Sequence, residues 1–158
     1  MARPAARAAI GPTVSHASTI RVHASCVELH GVGVLLLGPS GSGKSDLALR
    51  LIDAGALLVA DDQVAIERRA DRLFGSAAAA LAGLLEVRGV GIVRLPCRAA
   101  SELGLAVELD TAGARDRLPD PATSYPLLGL ALPCLRLDPR AASAGAKIRL
   151  ALSAERVA

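Results

Sequence analysis

Eight consecutive residues, Gly38, Pro39, Ser40, Gly41, Ser42, Gly43, Lys44 and Ser45, satisfy the pattern GxxxxGK[ST] at every position. The chemistry of that pattern is phosphate binding. Its glycines let successive backbone amides turn inward into an anion-holding nest. Lys44 adds a positive charge, and the Ser45 hydroxyl is of the type that ligates Mg²⁺. The ligand class is therefore a nucleoside triphosphate or a similar phosphorylated molecule. A plain Gly/Ser turn would explain the glycines but not Lys44 followed by Ser45. Asp61 and Asp62 follow Lys44 by 17 and 18 residues. Mg²⁺ on phosphates is held by a hydroxyl and at least one carboxylate, while a second carboxylate can accept a proton from an attacking hydroxyl. The plainer alternative is that these two aspartates merely begin a turn. Taken alone, His23 reads as a solvated turn residue and Glu86 as an ordinary strand-face carboxylate.

These residues need elements to position them. Val32 to Leu37 is a continuous apolar run of the kind found in buried strands, and Ser45 to Asp53 has helical spacing, with Leu47, Ala48, Leu51 and Ile52 on one side. Strand, loop and helix thus come in the order that aims a helix N-terminus at the phosphates. Upstream, Ile20 to Val22 and Cys26 to Leu29 read as two short strands separated by His23 to Ser25, with His30 and Gly31 as a turn. Downstream, Gly55 is placed to end the helix, and Leu57 to Ala60 forms a strand that stops at Asp61 and Asp62. Val64 to Arg68 and Arg72 to Phe74 suggest a hairpin, and Ser76 to Leu85 a loop or short helix. Glu86 to Val93 reads as a strand whose two glycines pass close to a ligand or another backbone. A strand at Leu105 to Leu109, a loop at Thr111 to Pro126, an apolar run at Leu127 to Leu137 interrupted by Pro133, and a helix from about Ala141 to Leu152 complete the pattern. A doubly wound domain would alternate strands with full helices. Only two strong helices are present here, so the expected fold is a strand-rich α/β domain with a mixed sheet around one phosphate-binding loop.

Composition sets the outer bounds. The 158 residues fit one domain over 19–158, preceded by a loose tail over 1–18. Hydrophobic residues make up 52%, yet Phe74 and Tyr125 are the only aromatics, so Leu, Val, Ile and Ala must build the core. The same scarcity argues against base stacking on single-stranded nucleic acid. A net charge of +3 with scattered arginines calls for no nucleic-acid partner. Cys26, Cys97 and Cys134 are odd in number and far apart, which suggests free thiols and a cytoplasmic setting. His16, His23 and His30 lack metal-ligand spacing. No apolar run reaches the length of a membrane span.

The stretch from about Arg21 to Asp62, with HGVGVLLLGPSGSGKSDLALRLIDAGALLVADD at its centre, resembles the catalytic core of the bacterial HPr kinase/phosphorylase family. In that family a histidine precedes the loop lysine by 21 positions, as His23 precedes Lys44 here. A second family signature, LExRGxGI, appears as Leu85 to Ile92, LEVRGVGI. The resemblance is close over Ile20 to Val93 and holds beyond that in outline.

What the resemblance implies is an ATP-dependent protein kinase that transfers the γ-phosphoryl group to a serine of HPr, the phosphocarrier of the bacterial sugar phosphotransferase system. Many members also remove that phosphate with inorganic phosphate. It further implies a phosphate-loop fold related to phosphoenolpyruvate carboxykinase and a hexameric assembly. Carried over by position, Lys44 and the loop amides hold the β- and γ-phosphates, while Ser45 and Glu86 hold Mg²⁺. Asp61 and Asp62 form the acidic pair, with Asp62 the preferred base, and His23 is the catalytic histidine. The arginine that completes the family's site corresponds to Arg136, with Arg140 as second choice. The chain departs from the long members in having about 20 residues before the catalytic core, and the region after Arg94 does not reproduce the segment that grips HPr. The loop alone is also compatible with a kinase for another protein or a small molecule, or with a nucleotide-sensing module. His23, Asp61, Asp62 and Glu86 together favour catalysis.

Overall fold

The structure is a computed structural model and describes residues 18–110 and 122–154. In chain order its elements are β1 (Ser18–Leu29), β2 (Val32–Leu37), α1 (Lys44–Asp53), β3 (Leu57–Ala60), β4 (Gln63–Arg69), β5 (Arg72–Ser76), one 3₁₀ turn (Ala79–Leu81), β6 (Leu84–Val87), β7 (Gly91–Arg94), β8 (Ala100–Leu109), β9 (Ser124–Leu127), β10 (Leu130–Leu137) and α2 (Ala144–Ser153). Eight strands form one mixed sheet, and β6 with β7 forms a separate hairpin. The strand-rich α/β architecture and the two helices are as the sequence pattern predicts.

β1 corrects one expectation. The two short strands of the sequence reading are a single 12-residue strand that changes partners halfway. Its first half pairs with β4, Ser18 opposite Arg68 through His23 opposite Gln63. Its second half lies between β2 and β3. Burial changes at the same point, from exposed residues to the buried run Ala24 to Leu29. The polar His23 to Ser25 segment thus marks a change of neighbours, not an end of the strand, because the backbone groups there remain paired.

β8 behaves similarly, pairing antiparallel with β5 at its start and parallel with β2 and β10 at its end. The pairings β1–β2–β8–β5–β4 therefore close into a ring. Since β2 and β3 both run antiparallel to β1, the strands β3, β2, β8 and β10 share one direction. Their carboxyl ends all lie on one edge of the sheet, the edge where open α/β sheets bind ligands.

β2 is buried on both faces, which is why it reads as an unbroken apolar run. Alternation sends Val34 and Leu36 toward one cluster and Leu35 and Leu37 toward the other. The first cluster contains Leu47, Ala48 and Leu51 of α1 and Ile148 of α2, so both helices cover that face. α1 ends as its glycine predicts: Gly55 N–H donates to Ile52 O at 2.9 Å and Ala56 N–H to Leu51 O at 3.0 Å. This is the doubled C-terminal closure that turns the chain back into β3.

Two further segments differ from the sequence reading. Glu86 to Val93 is not one strand but the β6–β7 hairpin, with Glu86 opposite Ile92. Gly89 and Gly91 have φ of +85° and +123°, and a Cβ at either would meet open space. These glycines serve the turn, not a close approach. The apolar run interrupted by Pro133 is the hairpin of β9 and β10. Pro133 sits opposite Ser124 within it, a placement that an edge pairing tolerates. Part of the expected loop at Thr111 to Pro126 is β9; residues 111–121 lie outside the described residues.

The three cysteines are free, with Cys26 and Cys134 buried and Cys97 exposed. Burial, with Glu28 adding to it, pushes the Cys26 thiol up to about 12. Burial and the nearby Glu108 raise Cys134 to about 11. Thiolate is the reactive form. Ellman's reagent at pH 8 is therefore expected to titrate one thiol in the folded chain and three in denaturant. Rapid reaction of a second thiol in the folded state would contradict this burial.

Candidate functional site

The carboxyl end of β2 feeds the phosphate-binding loop directly. Gly43 takes the N-cap position of α1 with φ of +101°, a left-handed backbone that glycine adopts without steric cost. No side chain caps the helix, so its first amides are left for a ligand. Gly38 is fixed for a different reason: a Cβ there would stand 2.5 Å from Ser42 Oγ. That hydroxyl is buried and has no protein partner in the structure. A nest of amides, an uncapped helix N-terminus and an orphaned polar atom together fit a bound phosphate chain.

Lys44 is 6% exposed, and its ammonium donates to the carbonyls of Gly38 at 2.6 Å and Pro39 at 2.9 Å. Burial holds its pKa below the ordinary lysine value, opposed by the charges of Asp62 and Asp61. Anion binding uses the charged amine. Affinity for pyrophosphate is accordingly expected to fall with rising pH before an ordinary lysine would lose its proton. The unfolded chain holds that proton more tightly, so between the lowered folded value and the ordinary one, Lys44 contributes stability that increases with pH. Titration calorimetry from pH 7 to pH 10 checks the first effect, and affinity that stays flat to pH 10 would contradict it.

The acidic pair at the end of β3 divides by environment. Asp61 turns inward, and its Oδ1 accepts from Ser45 Oγ and Ser25 Oγ, each at 2.8 Å. A hydroxyl and a carboxylate at this distance are a donor set suited to Mg²⁺. Asp62 turns outward. Its φ is +69°, and its side chain is 76% exposed, facing a cleft of about 480 Å³ beside the loop. Its carbonyl accepts from Ala24 N–H at 3.2 Å and from His23 Nδ1 at 3.0 Å, which holds the unusual backbone in place. Since a carbonyl can only accept, His23 carries its proton on Nδ1. Nε2 lies within hydrogen-bonding distance of Ser40 Oγ, at 3.3 Å, and Nδ1 stands 3.4 Å from Asp62 Oδ1. One histidine thus ties the loop to the acidic pair.

The same cleft is lined by Glu86 and Arg88 of the β6–β7 hairpin. Sequence reasoning had no separate role for Arg88, although it lies within LEVRGVGI. It also missed Ser25. Alternation along β1 puts Ser25 on the face of His23, a signal that was present but unused. Arg136, on β10, stands apart, 62% exposed and 3.7 Å from Glu108 of β8. It lines neither cleft beside the loop. Arg140 does line one, on the opposite side of the loop from Asp62. Among the described residues no helix is long and apolar enough to cross a membrane.

The HPr kinase/phosphorylase of Clostridium tetani is 46% identical over 90 residues, covering 57% of this chain and 28% of that protein. The HPr kinase/phosphorylase of Geobacillus kaustophilus is 41% identical over 122 residues, covering 72% of this chain and 37% of that protein. The chain therefore spans about a third of the length of these relatives. The structure of the Hpr(Ser) kinase/phosphatase from Coxiella burnetii superposes with a TM-score of 0.73 at 25% identity, over 84% of this chain and 88% of that one. Residues 15–148 match the family described as HPr Serine kinase C-terminal domain, a match that takes in the loop, both aspartates and the hairpin, and the chain belongs to that family.

Proposed function

We propose that this chain is an ATP- and Mg²⁺-dependent serine kinase acting on HPr. The observation that carries the reading is the division of labour in the acidic pair. Asp61 is engaged by Ser45 at the loop, while the carboxylate of Asp62 is directed into the cleft next to it. MgATP supplies the γ-phosphoryl group and neutralises part of its charge. In the cleft, Asp62 takes the proton of the incoming serine hydroxyl as that oxygen forms its bond to phosphorus and the bond to the β-phosphate oxygen breaks. His23 holds Asp62 in place through its carbonyl. Lys44 exchanges its hydrogen bonds to Gly38 and Pro39 for phosphate oxygens, meeting charge that develops in transfer. Ser25 and Ser45 both donate to Asp61, so Ser45 and Asp61, with Glu86 of the hairpin, are the residues that would hold Mg²⁺, which would neutralise phosphate charge there.

In the phosphorylase direction inorganic phosphate would take the place of the nucleotide: its oxygen bonds to the seryl phosphorus, the bond to the serine oxygen breaks, Asp62 returns the proton to that oxygen, and pyrophosphate leaves. A cytoplasmic hexamer follows from the family resemblance. The test is to incubate the purified chain with ATP, Mg²⁺ and HPr and to map phosphate by mass spectrometry. Phosphate on an HPr serine is expected; bound ATP with HPr left unmodified would overturn the reading.

A further inference from the structure

The phosphate-binding loop is a wall shared by two clefts. One holds His23 and Asp62. The other, of about 510 Å³, lies between the loop glycines, the flank of α1 at Asp46 and Arg50, and the Pro139–Arg140 segment that follows β10. Both open at the carboxyl edge shared by β3, β2, β8 and β10, the first on the β3 side and the second on the β10 side. A nucleoside triphosphate has two different ends. If its terminal phosphoryl faces Asp62, its nucleoside must leave the loop on the side away from Asp62.

We infer that the second cleft seats the nucleoside of the phosphoryl donor, with the Pro139 ring and the Arg140 guanidinium against the face of a purine base. This assignment rests on the kinase reading above. The segment is fastened to the loop as a nucleoside clamp would need to be. The Pro139 ring packs on Gly43, whose added Cβ would stand 3.4 Å from Pro139 Cβ. Arg50 donates to the carbonyls of Pro139 and Ala141 and pairs with Asp46 one helical turn earlier, at 3.1 Å. Loop, helix and clamp are thereby one body. The Arg140 backbone N–H and Nε both donate to Asp138 Oδ1, at 2.9 and 3.2 Å, which orients the guanidinium plane.

The chemistry of the cleft limits what it can read. Phe74 is engaged by Arg69, 4.4 Å from the ring centroid, and Tyr125 lies on β9, so neither aromatic is available to stack. A guanidinium can cover a base face instead. The carbonyls of Pro139 and Ala141, which could accept from an amino group on the base edge, already accept from Arg50. Recognition by face and not by edge tolerates any purine, so ATP and GTP are expected to bind within about threefold of each other.

Titration calorimetry of the full chain with Mg²⁺ and ATP, GTP or inorganic tripolyphosphate tests this. Arg140→Ala is expected to weaken ATP and GTP by about tenfold, the scale of one lost stacking contact, and to leave tripolyphosphate within about twofold. Equal losses for tripolyphosphate would make Arg140 a phosphate ligand and overturn the assignment, as would unchanged ATP affinity. If wild-type chain bound neither ATP nor tripolyphosphate, the phosphate site itself would fall. Crosslinking wild-type chain with 8-azido-ATP needs no variant to fold. Label is expected between Asp138 and Lys147, and label confined to the region of His23 and Asp62 would refute the placement.

Discussion

Lys44→Met is expected to lower kcat for phosphoryl transfer by about 10²- to 10³-fold and to leave the fold standing. Methionine preserves most of the buried stem, which runs under the loop, but removes the charge and both donors to Gly38 and Pro39. Those carbonyls belong to a loop at the edge of a cleft, where water can replace the amine. The fold therefore loses one strained charge and two bonds that solvent can remake. Catalysis loses more, because a preorganised cation near the transferred group acts where charge develops, and removing one such donor costs on the order of 10²- to 10³-fold in kcat. The measurement is kcat for HPr phosphorylation together with the thermal midpoint. A variant that retained a tenth of wild-type kcat would remove Lys44 from the chemistry, whereas a collapsed midpoint would make it a structural residue.

The difference between catalysis and architecture also explains what the sequence revealed. The loop, β2, α1 and β3 were legible because each is fixed locally: a buried strand needs an apolar run, a helix needs its 3.6-residue spacing, and Gly55 closes the helix with bonds to its own last turn. β1 was not, since its continuity depends on two sets of partners, β4 at one end and β2 with β3 at the other, that lie far along the chain. The β6–β7 hairpin is local, but it was hidden because its glycines imitate a strand approached by a ligand. At the site, spacing located Asp61 and Asp62 but could not assign them. That distinction comes from the positive φ of Asp62, which turns adjacent carboxylates in opposite directions. The sequence shows Arg50 only as an i,i+4 partner of Asp46; its bonds to Pro139 and Ala141 were hidden because those residues are some ninety positions away.

That backbone turn makes Asp62→Asn an unusually clean probe. Most substitutions at φ of +69° add strain, but asparagine enters the left-handed region readily, so the turn and the carbonyl that receives His23 and Ala24 should persist. The carboxylate is 76% exposed, and its replacement leaves no buried group without a partner. What disappears is the ability to take a proton. General-base contributions are typically about 10² to 10⁴ in rate, so kcat is expected to fall by that factor while the ATP dissociation constant stays within about twofold. Asp61→Asn should divide the other way. Its Oδ1 receives Ser25 and Ser45, and an amide placed there carries no charge for a metal. Mg²⁺-dependent ATP binding should weaken, and raising Mg²⁺ should restore part of the activity. Rescue by Mg²⁺ in the Asp62 variant, and none in the Asp61 variant, would reverse the two assignments. Loss of ATP binding in both would mean that the aspartates act together on the metal and that the proton goes elsewhere.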